Sequence, residues 1–177
     1  MPSDTTRERF EQAVLPHLDA AYNLARWLTR NDHDAQDVTQ EAFLRAFRFF
    51  DGYQGGNLRA WLLTIVRNTC YTWLQHNRPP DVAVEFDEEI HSGESGGSAA
   101  DPEIQVLASA DKETLHRALD ELPAIFREVL VLREMEGMSY KEIADVSSIS
   151  IGTVMSRLAR ARTRLRESLG AALGKES

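Results

Sequence analysis

Five arginines and no acidic residue lie in the segment from Ile151 to Arg166. Guanidinium groups without nearby carboxylates can contact phosphate oxygens, and an arginine in a major groove can contact a guanine edge through two hydrogen bonds. A helix that is merely solvated would normally interleave Glu with Arg, so that ion pairs form along its surface. The composition therefore favours a helix that binds nucleic acid.

A helical projection of this segment separates an apolar stripe from a small, cationic outer face. At about 100° per residue, the stripe contains Val154, Leu158, Ala161 and Leu165. The outer face contains Ser156, Ala159, Arg160 and Thr163. Its margins are predicted to carry Arg157 and Arg164 on one side and Arg162 and Arg166 on the other. Together with the short helix and polar turn that begin at Ser139, this pattern predicts a helix-turn-helix whose second helix enters a major groove.

A second candidate surface lies on a helix predicted from about Leu58 to Asn77. Five residues spaced three and four apart fall on one face of this helix and form a stripe: Trp61, Thr64, Asn68, Tyr71 and Gln75. The opposite, apolar side consists of Leu62, Val66, Cys70 and Trp73. Aromatic rings and amides in a basic setting suit unpaired bases, which stack on π faces and offer exposed edges. Packing of the aromatic residues against a neighbouring helix is the alternative explanation.

A third candidate surface lies on the preceding helix. Asp37, Glu41, Leu44 and Arg48 recur at spacings of four and three residues, with Gln40 beside them. One leucine among charged residues is compatible with a protein-docking face. A purely solvated face would have nearly the same pattern, so spacing alone leaves both interpretations open.

Charge distribution is more informative than total charge in this chain. The 177 residues include 20 Lys and Arg against 28 Asp and Glu, for a net charge of -8. Nine of the acids and no Lys or Arg lie between Pro79 and Asp111, which leaves 19 acids and 20 bases elsewhere. The folded parts are therefore close to neutral, and the acidic total does not argue against a nucleic-acid partner.

Several classes of function lack the residues they need. The single cysteine, Cys70, excludes an intrachain disulfide, and the five scattered histidines show no zinc-site spacing. No phosphate-binding glycine loop and no nucleophile elbow is present, so we expect no enzyme, metal or cofactor. Without a signal segment or an apolar run long enough for a bilayer, we expect a cytoplasmic protein that does not insert into membranes.

Helical periodicity without strand alternation predicts an all-α fold of two small domains. The first domain, residues 1–78, is predicted to contain three helices, at Val14 to Leu28, Ala35 to Phe50 and Leu58 to Asn77. A break with an N-cap between Asn31 and Asp34 precedes the second of these helices. Pro79 and Pro80 end the last of these. Residues 79–105 are predicted to form a flexible acidic linker. Helices are predicted to resume near Pro102. In the second domain, residues 106–177, Leu107, Leu115, Leu119 and Leu122 mark one helix, and Ile125 to Arg133 mark another.

Four motifs in order resemble those of the bacterial extracytoplasmic-function sigma factors. They are Asp37 to Phe47 (DVTQEAFLRAF), Arg59 to Asn68 (RAWLLTIVRN), Leu122 to Glu134 (LPAIFREVLVLRE), and the pair Gly137 to Ala144 (GMSYKEIA) and Gly152 to Arg157 (GTVMSR). The resemblance extends from about Leu15 to Leu169. It implies an alternative sigma factor that binds core RNA polymerase, through the β′ clamp and the β flap, and directs initiation at specific promoters.

The resemblance also implies a role for each surface. Docking on the clamp would fall to Asp37, Gln40, Glu41, Leu44 and Arg48. Capture of melted minus-10 DNA would fall to Asn57, Arg59, Trp61, Thr64, Asn68, Tyr71 and Gln75. Reading of the minus-35 duplex would fall to Ser150, Thr153, Met155, Ser156, Arg157, Ala159, Arg160, Arg162 and Arg164. The acidic linker would mimic phosphates in a polymerase channel that RNA otherwise uses, and an anti-sigma factor would be a further partner.

Three positions depart from the family pattern. The loop from Tyr53 to Arg59 is shorter than usual, and Met155 stands where many relatives carry a basic residue. Ser147 and Ser148 replace a Leu-Gly pair in the turn, which predicts a less rigid helix-turn-helix.

Two other classes of function remain as alternatives. A stand-alone helix-turn-helix regulator would use the C-terminal surface but leave the stripe from Trp61 to Gln75 without a role; it would bind promoter duplex without polymerase. A structural or adaptor protein would bind no nucleic acid at all.

Overall fold

The structure is a computed structural model that describes residues 4–77 and 111–174, with side chains to residue 171. Within these ranges the chain forms helices and no strand, which confirms the all-α prediction. The described residues divide into two compact units. Residues 4–77 form the first, to which 145–148 are also assigned, and residues 111–144 and 149–174 form the second. The predicted linker, and the helix start expected near Pro102 and Leu107, lie outside the described residues.

The first unit contains four α-helices in the described range: α1 (Asp4–Val14), α2 (Leu18–Thr29), α3 (Asp32–Phe49) and α4 (Leu58–Asn77). Single 3₁₀ turns follow α1 at Leu15–His17 and α3 at Phe50–Gly52. The sequence analysis did not predict α1 or the break after it. Pro16 explains the break, because proline has no amide hydrogen and its ring obstructs a continuing α-helix.

Local capping sets the helix starts in this unit. The Asn31 Oδ1 accepts the Asp34 amide at 3.0 Å, which confirms the predicted N-cap and starts α3 at Asp32, three residues before the predicted start. Arg30 ends α2 in a left-handed conformation with φ of 62°. For α4, the predicted bounds agree with those of the structure.

The core of the first unit lies where α2, α3 and α4 pack against one another. Its fully buried side chains include Leu24, Leu28, Leu62, Leu63 and Val66. Burial of each such side chain stabilises a fold by about 1.5 to 3 kcal/mol. Of the predicted apolar side of α4, Leu62, Val66 and Cys70 are buried as expected, whereas Trp73 is only half-buried.

The described residues from 111 onward form α5 (Lys112–Glu121), α6 (Ala124–Leu130), α7 (Tyr140–Ser147) and α8 (Ile151–Gly174), and α6 continues into a π-helical turn at Val131–Met135. The Asp111 carboxylate caps α5 by accepting the Thr114 amide at 2.7 Å, and this hydrogen bond lowers the pKa of Asp111. Both α5 and α6 pack on α8. None of the helices in the described part of the chain has the length and apolar character to cross a membrane.

Candidate functional site

The helix-turn-helix is built by three local devices. At the start of α7, the Ser139 Oγ accepts the Glu142 amide and the Glu142 Oε1 accepts the Ser139 amide, both at 3.1 Å, which forms a capping box. At the end of α7, the Ile149 amide donates to the Ala144 carbonyl at 3.1 Å while Ser148 adopts a φ of +57°. This pairing is a Schellman motif, and glycine normally occupies its left-handed position.

Ser150 starts α8, the second helix of the helix-turn-helix. Its Oγ accepts the Thr153 amide at 3.1 Å and lies 2.9 Å from the Thr153 hydroxyl. The predicted apolar stripe of Val154, Leu158, Ala161 and Leu165 is buried, as expected. The turn and the cap therefore fix which side of α8 faces the core.

The outer face of α8 has small and polar residues at its N-terminal end. Of the residues predicted to contact DNA here, Ser150 is exposed and Met155 is 39% exposed. Four others are half-buried: Thr153, Ser156, Ala159 and Arg160. The Ser156 hydroxyl donates to the Gly152 and Thr153 carbonyls, each at 3.2 Å. A small, partly accessible face of this kind allows close approach of a groove floor.

The arginines of α8 do not all lie where the projection predicted. Arg157 is buried, at 6% exposure, so its predicted place on the outer margin is wrong. Arg162 donates from Nη2 to Glu134 Oε1 at 2.8 Å, and the Arg164 guanidinium lies 4.8 Å from the centre of the Phe126 ring. The absence of acids between Ile151 and Arg166 did not reveal this ion pair, because its carboxylate is 28 residues away in the chain. Both arginines thus contribute to packing in their own unit.

In the first unit, the loop before α4 is held at both ends. The Tyr53 hydroxyl donates to the Gly56 carbonyl at 2.7 Å, and the Asn57 Oδ1 accepts the Ala60 amide at 3.1 Å to cap α4. Gly55 and Gly56 adopt φ values of +91° and +96°, which side chains rarely allow. Asn57, predicted to contact DNA, is therefore also the residue that starts the helix.

The predicted stripe on α4 is partly exposed along its length. Asn68 and Gln75 are exposed, together with the cap residue Asn57; the half-buried members are Arg59, Trp61, Thr64 and Tyr71. Trp61 packs against the Tyr53 ring, with centroids 5.2 Å apart. Trp61 is therefore both packed against another ring and partly accessible to solvent. Its position is compatible with both a packing role and a base-stacking role.

Arg67 joins this stripe although the sequence analysis did not include it as a site residue. Its guanidinium lies 4.3 Å from the centre of the Tyr71 ring, and its Nη1 donates to the Asn68 Oδ1 at 3.4 Å. The positive charge thus lies beside an exposed amide and an aromatic face. The sequence did contain a signal for including Arg67 in the stripe. Arg67 precedes Tyr71 by four residues, and residues four apart share a helix face.

The third predicted surface is exposed on α3. Asp37, Gln40, Glu41, Leu44 and Arg48 all face solvent, and Leu44 is 62% exposed. Glu41 accepts a hydrogen bond from Arg45 at 3.0 Å. The opposite side of the helix is buried through Ala35, Val38, Thr39, Ala42 and Ala46. An exposed leucine among charged residues is compatible with a docking face but does not distinguish it from a solvated one.

Beside this face, α1, α2 and α3 enclose a groove of about 750 Å³. Its apolar lining comprises Phe10, Leu18, Tyr22, Phe43, Leu44 and Phe47. Tyr22 donates to Asp32 Oδ1 at 3.3 Å; partial burial, and then the Asp32 charge, raise the pKa of Tyr22. The groove thus adds apolar surface beside Leu44, which the sequence analysis had treated as a single leucine among charges.

Comparison with known families divides the chain in the same way. Residues 13–79 match sigma-70 region 2, and residues 112–165 match sigma-70, region 4. The first match contains α2, α3 and α4, and the second contains α5, α6, α7 and the part of α8 that ends at Leu165.

Similar curated proteins are bacterial sigma factors. The chain is 34% identical over 168 residues to the RNA polymerase sigma-H factor of Pseudomonas aeruginosa, covering 92% of this chain and 87% of that protein. It is 38% identical over 135 residues to the ECF RNA polymerase sigma-E factor of Escherichia coli, covering 73% and 70%. It is 34% identical over 165 residues to the ECF RNA polymerase sigma factor SigE of Mycolicibacterium smegmatis, covering 90% of this chain but 61% of that longer protein.

Two solved structures share the fold. The sigma factor RpoE of Bartonella quintana, crystallised with the anti-sigma factor NepR, aligns with a TM-score of 0.70 and 32% identity over 92% of this chain and 98% of that one. CnrH, in complex with the cytosolic domain of CnrY, aligns with a TM-score of 0.58 and 25% identity over 97% and 91%.

Proposed function

Because the chain belongs to the extracytoplasmic-function family of bacterial RNA polymerase sigma factors, we propose that it binds core RNA polymerase and directs it to promoters with a specific minus-35 duplex and a minus-10 element that it melts. The observation that most supports this is the presence of two different candidate DNA surfaces, one in each matched region. The role is non-catalytic, and its place of action is the bacterial cytoplasm.

In the second unit, α8 reads the minus-35 duplex. Arg160 is the arginine suited to contact a base, since it belongs to the outer face. Ser150, Thr153, Met155, Ser156 and Ala159 form the small surface that enters the groove. Arg162 and Arg164 contact phosphates. Arg162 does so while paired with Glu134, and Arg164 does so while packed on the Phe126 ring. Arg157 acts within the fold and is removed from the set of DNA contacts.

In the first unit, the loop from Tyr53 to Asn57 and the exposed side of α4 receive the melted minus-10 strand. Asn68 offers an amide to a base edge, and Arg67 supplies positive charge beside it. Trp61 and Tyr71 provide ring faces, while Arg59, Thr64 and Gln75 complete the surface. Stacking on aromatic faces and hydrogen bonds to base edges offset part of the cost of unstacking.

Docking on the polymerase clamp uses the exposed face of α3, with Leu44 as its apolar centre and Asp37, Gln40, Glu41 and Arg48 around it. The second unit contacts the β flap. An anti-sigma factor regulates the chain by covering these surfaces; the similar RpoE of Bartonella quintana was crystallised with such a partner.

Reconstitution with core polymerase tests this proposal. The chain and core enzyme together should start transcription on genomic DNA at sites that share two upstream sequence elements, while core enzyme alone should not select them. Sequencing the transcript starts gives both elements directly. Tight binding of the chain alone to a promoter duplex, with no effect on start-site choice, would instead indicate a stand-alone regulator.

A further inference from the structure

An unbroken set of ring contacts links α1 to the loop before α4. The Phe10 ring on α1 packs edge-on against Phe47 and Phe50, with centroids 5.1 and 5.3 Å apart. Phe50 in turn lies parallel to Tyr53 at 6.2 Å and tilted against Trp61 at 6.4 Å. Tyr53 and Trp61 contact each other at 5.2 Å. One ring, Phe50, therefore touches both α1 and the loop.

The backbone of the loop is free to adopt several conformations at two of its positions. Two consecutive glycines, Gly55 and Gly56, widen its conformational choice, and a Cβ added at either one would meet no atom within 4 Å. Hydrogen bonds also restrain the loop: the Tyr53 amide donates to the Phe50 carbonyl at 3.0 Å, the Tyr53 hydroxyl donates to the Gly56 carbonyl, and Asn57 caps α4. The ring contacts of Tyr53 and Trp61 add to these bonds in holding the loop against the helix.

Phe10 lies before the region-2 match, which begins at residue 13. It is only 6% exposed, although α1 as a whole is mostly polar and exposed. Phe10 and Val14 are the two residues that α1 buries. Edge-on aromatic pairs favour particular ring orientations beyond what apolar burial requires. Phe10 can therefore orient Phe50, where an aliphatic residue would only fill space.

We propose that Phe10 is a positioning residue for the minus-10 surface, which through Phe50 holds Tyr53 and Trp61, and with them the loop, in the conformation that receives the melted strand. This inference rests on the proposed function for its consequence in DNA opening. The positioning itself is a property of the free chain and is measurable without DNA.

The first experiment measures amide hydrogen exchange in the free chain. Phe10→Leu should accelerate exchange of the Tyr53, Ala60 and Trp61 amides by roughly threefold to tenfold relative to amides in the middle of α3, because two edge-on ring pairs are lost. Val14→Ala is the matched control, since it removes buried methyl groups from the same helix and leaves the rings intact. Equal relative exchange at these three amides in Phe10→Leu and wild type would overturn the proposal.

The second experiment measures promoter opening with saturating holoenzyme, by permanganate reactivity of the melted thymines. Phe10→Leu should open DNA roughly threefold to tenfold more slowly, whereas Val14→Ala should open it at the wild-type rate. An unchanged opening rate in Phe10→Leu would overturn the link between Phe10 and melting, whatever the exchange result. A wild-type chain that opens no promoter would refute the proposed function instead, and the exchange measurement would still decide the positioning role.

Discussion

Asn68 is an exposed amide on α4 with an arginine and an aromatic ring beside it. Its Oδ1 accepts a hydrogen bond of 3.4 Å from Arg67, which is long enough to be exchanged for a better partner. An amide can both donate to and accept from a base edge, and the Tyr71 ring lies one turn away. At the scale of single residues, Asn68 is thus the group on this surface most suited to reading a base.

We predict that Asn68→Ala slows open-complex formation by roughly tenfold, while initial recruitment of polymerase to the promoter changes little. Capture of an extruded base offsets part of its unstacking cost, and that cost arises only when the duplex opens. Permanganate reactivity measures opening, and filter binding before opening measures recruitment. Gln12→Ala, which removes an exposed amide from α1 of the same unit, is the control. Equal melting by Asn68→Ala and wild type would favour a packing role for the stripe.

The arginines of α8 differ in what they contact, so their substitutions should have different effects on DNA affinity and sequence selectivity. Arg160→Ala should cost about 1 to 3 kcal/mol on the preferred minus-35 sequence and relax selection at one base pair. Arg164→Ala should weaken binding to all sequences and reduce the salt slope by about one unit. It should also destabilise the fold by about 0.5 to 1 kcal/mol, because the contact with Phe126 is lost.

Titration of holoenzyme against promoter fragments with matched and mismatched minus-35 elements, at several salt concentrations, separates these effects. Arg117→Ala on α5 controls for the loss of one positive charge, since Arg117 forms an exposed ion pair with Glu113. Equal, sequence-independent losses for Arg160→Ala and Arg164→Ala would contradict the orientation proposed for α8.

At the scale of elements, the turn of the helix-turn-helix carries a small strain. Ser148 has a φ of +57°, in the left-handed region that costs an L-residue about 1 to 2 kcal/mol. The family pattern usually has glycine here, and the structure explains why: the Schellman motif requires this conformation. The predicted loss of rigidity is therefore better described as strain at one residue.

We predict that Ser148→Gly raises the stability of the chain by about 0.5 to 1 kcal/mol, since relief of the strain exceeds the added entropy of the unfolded chain. Thermal or urea unfolding measures the change. Gly137, with a φ of +65°, supplies the reverse test, because Gly137→Ala should destabilise the chain by about 1 kcal/mol. A Ser148→Gly chain that is less stable than wild type would show that the serine side chain contributes more than its backbone costs.

At the scale of the whole molecule, the exposed face of α3 is the surface with which we expect the chain to join the polymerase. Asp37→Ala combined with Leu44→Ala should leave the fold intact, because both side chains are exposed. It should weaken core-polymerase binding by about 2 to 4 kcal/mol, as loss of docking hot spots does.

A direct binding titration with core polymerase measures this loss. The matched control is Glu8→Ala with Leu15→Ala, an exposed acid and an exposed leucine of the same unit that lie off α3. Wild-type affinity in the Asp37 and Leu44 double variant would mean that the face is only solvated.

Features that depend on neighbours a few residues away in the chain could be predicted from the sequence. Helical periodicity gave the all-α class, the bounds of α4 and the buried stripe of α8. Capping residues such as Asn31 act through one side chain and one nearby amide, so they too can be recognised locally. The family motifs indicated the roles that we propose for the surfaces, because the order of motifs along a chain can be recognised without a structure.

Which side chains are accessible on those surfaces could not be predicted in this way, because accessibility depends on how the helices pack. A projection gives the direction of Arg162 around the helix axis, but not that Glu134 lies within 2.8 Å of it. It also gives no sign that Arg157 is buried, that Phe10 reaches the rings before α4, or that a groove opens beside Leu44. Each of these facts depends on contacts between separate elements, and packing between elements follows from their combined shapes rather than from the period of any one helix.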